Sequence, residues 1–187
     1  IYRRSFKEPV AYIIREKEFW SKKFEVSYET LIPRPETELM VEKLIKIYKD
    51  KSISILDIGS GSGCILISLL SELNNAKGLG IDISKKAVLL SNKNLKKHKM
   101  TNRAKFLNRS VDDLRNNKFD LVVSNPPYIK RAELKNLDED IKSFEPLLAL
   151  DGGNDGLDVI KKVIYKANEI LKVNGLLALE IGNGQFK

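Results

Sequence analysis

Cysteine, histidine and long apolar runs are scarce in this chain of 187 residues. The one cysteine, Cys64, excludes a disulfide within the chain, and the one histidine, His98, excludes a metal cluster of cysteines and histidines. No segment approaches the roughly 18 uncharged apolar residues of a membrane span, and the first residues lack the apolar core of a signal peptide. We therefore expect a cytoplasmic protein with no bound metal and no membrane partner.

Basic residues outnumber acidic ones by 33 to 25, which gives a formal net charge of +8. This excess permits an anionic partner such as nucleic acid. The lysines are spread over amphipathic stretches, however, and no arginine-rich arm is present. The pattern favours solvated helix faces, and it leaves an indirect proximity to the ribosome or its RNA open.

Apolar runs of strand length alternate with longer amphipathic segments after residue 53. Strands are predicted at residues 53–58, 78–83, 104–108, 119–124 and 175–181. Helices are predicted at residues 63–73, 84–98 and 157–173, with His98 near one helix end and Gly175 as the stop signal of the last helix. This alternation predicts a Rossmann-like, doubly wound α/β fold with a mainly parallel sheet. Its ligand should lie beyond the carboxyl ends of the strands.

Two parts of the chain are expected. Residues 1–35 should form a β-ribbon and linker segment that packs on the catalytic domain, because residues 18–32 alternate like a short ribbon. Residues 36–187 should form that catalytic domain, beginning with a helix at residues 36–50. The sequence starts without a methionine and stops directly after a predicted strand, so we expect a fragment.

The stretch "ILDIGSGSGC" places Gly59, Gly61 and Gly63 between the first strand and its helix, with Asp57 ahead of them. Glycines let a ligand approach the backbone closely, and the helix start offers free N–H groups. Asp82 ends the next strand, where its carboxylate can accept hydrogen bonds from two ribose hydroxyls. The two-residue spacing differs from the G-x-G-x-x-G of dinucleotide sites, which remain the alternative. It resembles motif I of class I S-adenosylmethionine-dependent methyltransferases.

The stretch "SNPPY" leaves another predicted strand through a stiff, extended turn. The Asn125 side-chain oxygen and the Pro126 carbonyl could each accept a hydrogen bond from a planar NH₂ group, and Tyr128 offers a ring face. Such an arrangement suits methylation of an amide or an exocyclic amine, where much of the catalysis is positioning. A rigid turn without chemistry is the simpler alternative, as packing is for Cys64.

Seven segments carry a resemblance to a known family: "EPVAYIIREKEFW", "LIPRPETE", "ILDIGSGSGC", "GIDIS", "FDLVVSNPPYI", "FEPLLALDGGNDGLD" and "LALEIG". In these motifs and their order the chain resembles the HemK/PrmC family, the peptide chain release factor glutamine N5-methyltransferases. The resemblance implies methyl transfer from S-adenosylmethionine, leaving S-adenosylhomocysteine. It implies that the acceptor is the glutamine of the Gly-Gly-Gln loop of class 1 release factors.

The resemblance also implies residue roles. The catalytic residues would be Asn125, Pro126 and Tyr128. The cofactor would contact Asp57, Gly59, Ser60, Gly61, Gly63, Asp82, Ile83, Asp112 and Asn125. The substrate would contact Asn125, Pro126, Pro127, Tyr128, Phe19, Arg34 and Thr37. Ordinary packing is the alternative for Phe19, and a structural ion pair or helix cap is the alternative for Arg34.

The sequence departs from the family pattern in several places. After the strand at residues 104–108 the family tends to show an acid followed by an aromatic residue, which is not found here. The adenine contact is therefore expected from Asp112, from Asp113 or from the main chain. Arg15 replaces a usual glycine. The N-terminal helical domain and the C-terminal hairpin of the family are also not in this sequence.

Two other functions fit parts of the pattern. A nucleic-acid amino methyltransferase, acting on adenine N6 or on a guanine amine, would use a similar NPPY loop but would need a means to extrude the base. A cofactor-binding domain without catalysis would keep the glycine loop but would not need the amide and the ring.

Overall fold

The computed structural model describes residues 1–115 and 118–186. The strands are β1 (Glu16–Phe19), β2 (Lys22–Glu25), β3 (Ser54–Ile58), β4 (Lys77–Asp82), β5 (Ala104–Asn108), β6 (Phe119–Ser124) and β7 (Leu171–Leu179). The helices are α1 (Tyr2–Ser5), α2 (Val10–Ile14), α3 (Pro35–Tyr48), α4 (Cys64–Glu72), α5 (Lys85–Lys97), α6 (Glu139–Phe144) and α7 (Asp158–Ile170). Short 3₁₀ turns lie at Val111–Asp113, Arg131–Asn136 and Leu147–Ala149.

Strands β3 to β7 form one parallel sheet in the order β5-β4-β3-β6-β7. The order reverses direction at β3, which is the switch point where ligands bind in open α/β sheets. The predicted doubly wound fold is therefore confirmed. Lys187, the last residue of the predicted catalytic domain, lies outside the described residues.

Both faces of the sheet are covered, which explains the continuous apolar strands. In β6, Leu121 and Val123 point to one face, while Val122 points to the other, as the strand period of two requires. The first face packs against α3, α4 and α5, and the second packs against α7. Burial on both faces fixes the strand register, and with it the loops that follow the strands.

The predicted end of the last helix was wrong. Helix α7 stops at Ile170 and β7 begins at Leu171, so Gly175 lies inside a strand instead of stopping the helix. Strand β7 pairs with β6 across a register irregularity, and Asn174 takes a φ of 62° there. Pairing with β6 overrides the helical period of the sequence, because strand pairing is a tertiary interaction that a local pattern does not report.

The predicted ribbon is a short antiparallel hairpin of β1 and β2, joined by Trp20 and Ser21, both at φ 52°. The ribbon was predicted to run to residue 32, but β2 ends at Glu25. Helices α1, α2 and α6 were not predicted, because four to six residues are too few to show a helical period. Among the described residues, no helix has the length and apolar character to cross a membrane.

Candidate functional site

A cavity of about 480 Å³ opens where β3, β4 and β6 end. This volume lies within the range of small-molecule and cofactor sites. Of the residues that the sequence predicted for the site, those lining it are Arg34, Thr37, Gly59, Ser60, Gly61, Asp82, Ile83, Asp112, Asn125 and Pro127. The glycine loop and the NPPY loop thus meet at one cavity, as the parallel topology predicted.

The glycine loop is held by the neighbouring strand. The N–H groups of Gly59 and Ser60 both donate to the carbonyl of Ile81, at 2.9 and 3.1 Å. Gly63 has a φ of 81°, and a Cβ there would lie 2.8 Å from the Phe106 ring. Gly63 therefore allows the start of α4 to pack closely on the core. It does not line the cavity, so the structure supports a packing role rather than the predicted cofactor contact.

Asp82 also holds the glycine loop in place through hydrogen bonds. Its Oδ2 accepts a hydrogen bond from Gly61 N at 2.9 Å, and its Oδ1 accepts one from Ser84 N at 2.8 Å. Burial raises the pKa of Asp82, while these N–H groups act in the opposite direction. A carboxylate oxygen can accept more than one hydrogen bond, so each oxygen keeps capacity for a hydroxyl in the cavity. This suits two neighbouring ribose hydroxyls.

Asp57 lies behind the loop and is fully buried. Neither of its carboxylate oxygens has a hydrogen-bond partner among the described residues. Burial raises the pKa of Asp57 to about 7. The backbone N–H of Leu66 lies outside hydrogen-bond geometry and offsets only part of this rise in the pKa. A buried carboxylate without a partner suits the cationic end of a ligand, although Asp57 itself does not line the cavity.

This burial makes stability depend on pH. In the folded chain Asp57 binds its proton up to a pH of about 7, whereas the ordinary value is 3.8. The folded state therefore holds more protons, and the stability that this provides is complete below about pH 4 and is lost as pH rises through about 7. Asp57→Asn should remove this fall in the free energy of unfolding. Urea unfolding between about pH 4 and pH 8 checks it. If the free energy of unfolding changed equally with pH in the two proteins, the pKa shift of Asp57 would be contradicted.

Cys64 also lines the cavity, at the start of α4. Burial raises the pKa of its thiol to about 12, so the thiolate is disfavoured at neutral pH. This agrees with packing rather than a nucleophile. His98 follows the last residue of α5, where it was expected, and its ring packs on Phe24 with the centroids 4.8 Å apart.

Of the two acidic residues that were expected to contact adenine, one lines the larger cavity. Asp112 lines the cavity, but Asp113 does not. Asp113 is engaged in a capping box, where its Oδ2 accepts a hydrogen bond from Ser110 N at 3.0 Å. Ile83, with 59% of its surface exposed, forms part of the wall. Of the two acids, the geometry favours Asp112.

A second cavity of about 150 Å³ adjoins the first. Asn125 and Arg34 line both cavities, and Tyr128 lines the smaller one. Arg34 donates to Glu145 at 2.6 Å, and the same carboxylate accepts from Ile32 N at 3.2 Å. The predicted ion-pair role of Arg34 is thus present alongside its place in the cavity wall.

Two predicted substrate residues lie elsewhere. The Phe19 ring is 1% exposed and packs in the core against Phe24, so the alternative of ordinary packing describes it and the predicted cavity wall does not. The reason is the hairpin, which turns this side chain onto the sheet. Pro126 is buried and lines neither cavity, so any part in the site must come from its backbone carbonyl.

Glu180 was missed in the sequence. It follows β7, and its carboxylate accepts hydrogen bonds from Thr37 Oγ1 at 2.5 Å and from the Tyr128 hydroxyl at 3.3 Å. Asn125 Nδ2 in turn donates to Thr37 Oγ1 at 3.2 Å. The available signal was the position of Glu180 in "LALEIG", near the end of the strand predicted at residues 175–181. Within the described residues, no group of three potential metal ligands occurs.

Solved structures share this fold. A ribosomal protein L11 methylase from Lactobacillus delbrueckii subsp. bulgaricus matches with a TM-score of 0.54 and 17% identity, covering 77% of this chain and 59% of that one. The hMettl16 catalytic domain, in complex with the MAT2A 3'UTR hairpin 1, matches with a TM-score of 0.61 and 18% identity, covering 78% and 56%. At these identities the likeness concerns the fold alone.

The family model described as "Methyltransferase small domain" matches residues 35–142, more than half of the chain. The chain belongs to the methyltransferase small domain family. The matched range contains the glycine loop, Asp82 and the NPPY loop. The matched range thus includes those cavity-lining residues that belong to α3 or that lie at the ends of β3, β4 and β6.

Several curated relatives match nearly the whole chain. A release factor glutamine methyltransferase of Caulobacter vibrioides is 42% identical over 185 residues, which cover 98% of this chain and 64% of that protein. One of Buchnera aphidicola subsp. Acyrthosiphon pisum is 43% identical over 182 residues, covering 97% and 65%. The resemblance drawn from seven motifs is therefore confirmed. The chain spans slightly less than two thirds of the length of these relatives.

Proposed function

We propose that this chain forms the catalytic part of a methyltransferase that moves a methyl group from S-adenosylmethionine to the side-chain nitrogen of a glutamine in a protein. The observation that carries this proposal is the position of Asn125, which lines the larger and the smaller cavity at once. A methyl donor in one cavity and an amide in the other would meet at this side chain.

The larger cavity fits S-adenosylmethionine. Asp82 offers carboxylate oxygens to two ribose hydroxyls, and the Gly59–Gly61 loop lets the amino-acid end approach the backbone. The unpartnered Asp57 carboxylate lies behind that loop and favours a cationic group nearby. Ile83 and Asp112 would hold the adenine. When bound, the sulfonium supplies an electrophilic methyl group.

The smaller cavity fits a glutamine side chain. The nitrogen of an amide is a poor nucleophile because its lone pair is delocalised into the carbonyl. The Asn125 oxygen and the Pro126 carbonyl would each accept one N–H of the substrate NH₂ group, and the Tyr128 ring would pack on its plane. Holding the nitrogen in line with the methyl group can contribute up to about 7–11 kcal/mol to catalysis.

The relatives support the choice of acceptor. Both are named release factor glutamine methyltransferase, and they match 97–98% of this chain. We therefore propose the glutamine of the Gly-Gly-Gln loop of class 1 release factors as the acceptor, and the cytoplasm as the place of reaction. Residues 36–187 would form the catalytic domain. Phe19 and Phe24, in the core, support packing of residues 1–35 on it.

Mass spectrometry tests the proposal. The full-length protein that carries this chain is incubated with S-adenosylmethionine and a recombinant class 1 release factor, with a parallel sample of tRNA. We expect one added methyl group on the glutamine of the Gly-Gly-Gln loop and none on the tRNA. Methyl groups on tRNA with an unmodified release factor would instead indicate a nucleic-acid amine as the acceptor.

A further inference from the structure

Three side chains from distant parts of the sequence form one hydrogen-bonded chain beside the two cavities. Asn125 Nδ2 donates to Thr37 Oγ1 at 3.2 Å, and Thr37 Oγ1 donates to Glu180 Oε2 at 2.5 Å. Thr37 is 3% exposed, so water competes little for its hydroxyl. This series of hydrogen bonds therefore runs from an amide through a hydroxyl to a carboxylate.

The direction of these hydrogen bonds follows from the chemistry of each group. An ionised carboxylate only accepts, so the single hydroxyl proton of Thr37 goes to Glu180. Thr37 Oγ1 can then only accept from its other neighbour, which must present a donor. Asn125 must therefore turn its NH₂ group toward Thr37. Its Oδ1, which lies on the opposite side of the same amide, is then turned away from Thr37.

The free end of the amide is available to a ligand. Among the described residues, none donates a hydrogen bond to Asn125 Oδ1, and Asn125 lines both cavities. An amide rotated by half a turn would offer NH₂ to the substrate NH₂, which is a donor facing a donor. Only one of the two orientations can therefore hold a glutamine nitrogen.

We propose that Glu180 and Thr37 are positioning residues that fix the orientation of the Asn125 amide, so that its oxygen faces the substrate nitrogen. This rests on the proposed function of the site. Glu180 touches neither cavity and acts through Thr37. Glu180 accepts the hydroxyl proton of Thr37. The Thr37 oxygen can then only accept a hydrogen bond from Asn125.

The same carboxylate also reaches the aromatic ring of the loop. Glu180 Oε1 accepts a hydrogen bond from the Tyr128 hydroxyl at 3.3 Å, while Glu180 N donates to the carbonyl of Ser124 at 3.1 Å. The residue before Asn125 is thus tied to Glu180 through the backbone. One residue after β7 therefore holds both the amide and the ring of the NPPY loop.

Three variants separate the orientation from general packing. Thr37→Val keeps the shape but removes the hydroxyl, while Thr37→Ser keeps the hydroxyl. Glu180→Gln keeps the shape but can donate to Thr37, which lets the hydroxyl proton turn toward Asn125 and permits the wrong amide orientation. Thr101→Val, at an exposed position, and Glu42→Gln, whose side chain is 46% exposed, are the matched controls.

Steady-state kinetics with the full-length protein, S-adenosylmethionine and the release factor provide the first measurement. We expect kcat to fall about 10- to 100-fold in Thr37→Val and at least about fivefold in Glu180→Gln. KM for the release factor should change by less than about twofold, because Glu180 lines neither cavity and valine keeps the shape of Thr37 in the wall of the larger one. Thr37→Ser should recover most of kcat. Equal losses in Thr37→Ser and Thr37→Val would overturn the proposal.

A second measurement needs no substrate. The side-chain NH₂ signal of Asn125, assigned by its loss in Asn125→Ala, reports its hydrogen bond in ¹H–¹⁵N NMR spectra. We expect this signal to shift in Thr37→Val and Glu180→Gln and to stay in place in Thr37→Ser and both controls. An unmoved signal in Glu180→Gln would overturn the proposal. If the unaltered protein does not methylate the release factor, the proposed function fails, while this signal still tests the orientation.

Discussion

Asn125→Ala should lower kcat for amide methylation by about 100- to 1,000-fold, a loss comparable to removing one aligned group from an oxyanion hole. The variant removes the oxygen that would accept a substrate N–H at the junction of the two cavities. It also leaves Thr37 Oγ1 without its donor. Because the ribose acceptors lie on Asp82, the Kd for S-adenosylmethionine should change by less than about threefold. Single-turnover kinetics and isothermal calorimetry measure the two quantities.

Asn102→Ala is the matched control, since Asn102 is exposed in the turn that precedes β5. That turn lies at the amino end of the strand, on the opposite edge of the sheet from the cavities. The control should leave both kcat and Kd unchanged. Parallel losses of kcat and cofactor affinity in Asn125→Ala would mean that the side chain mainly holds the cofactor, and the amide clamp would be rejected.

Asp82→Asn should raise the Kd for S-adenosylmethionine by about 10- to 100-fold, because hydrogen bonds to a charged group contribute about 1.5–3 kcal/mol each. An asparagine NH₂ cannot accept from a ribose hydroxyl. It would also face either the N–H of Gly61 or that of Ser84, which both donate to Asp82. The glycine loop should therefore loosen as well. Calorimetric titration with S-adenosylhomocysteine gives the affinity without turnover.

Asp50→Asn is the control for this substitution, since Asp50 is exposed in the turn before β3, at the amino end of the sheet. Thermal unfolding of the unliganded proteins separates a weaker site from a damaged fold. We expect the midpoint of Asp82→Asn to move by only a few degrees. An unchanged Kd in Asp82→Asn would remove Asp82 from the ribose site and assign that role to the backbone of the loop.

Local sequence patterns predicted the sheet well. The predicted strands at residues 104–108 and 119–124 match β5 and β6 at both ends, and those at 53–58 and 78–83 lie within one residue of β3 and β4. These strands are buried on both faces, so their apolar runs are continuous and polar residues mark their ends. Glycine spacing and the NPPY stretch then located both loops at one edge of the sheet.

Other features depended on contacts between distant residues. Thr37 and Glu180 are 143 positions apart, and no local period relates them. Phe19 was predicted in the cavity, yet the hairpin turns its ring into the core. Strand β7 begins four residues before the expected helix stop at Gly175, because pairing with β6 is more favourable than another turn of α7. Each of these depends on interactions that form only when the chain is folded.

The sequence by itself determined the α/β class, the glycine loop, Asp82 and the Asn125 amide, because these follow from residue types and spacings within single segments. The tertiary structure decided which end of that amide faces the cavity. A hydrogen-bonded chain has a direction only when all of its members are in place, and its members Asn125, Thr37 and Glu180 come from three separate segments.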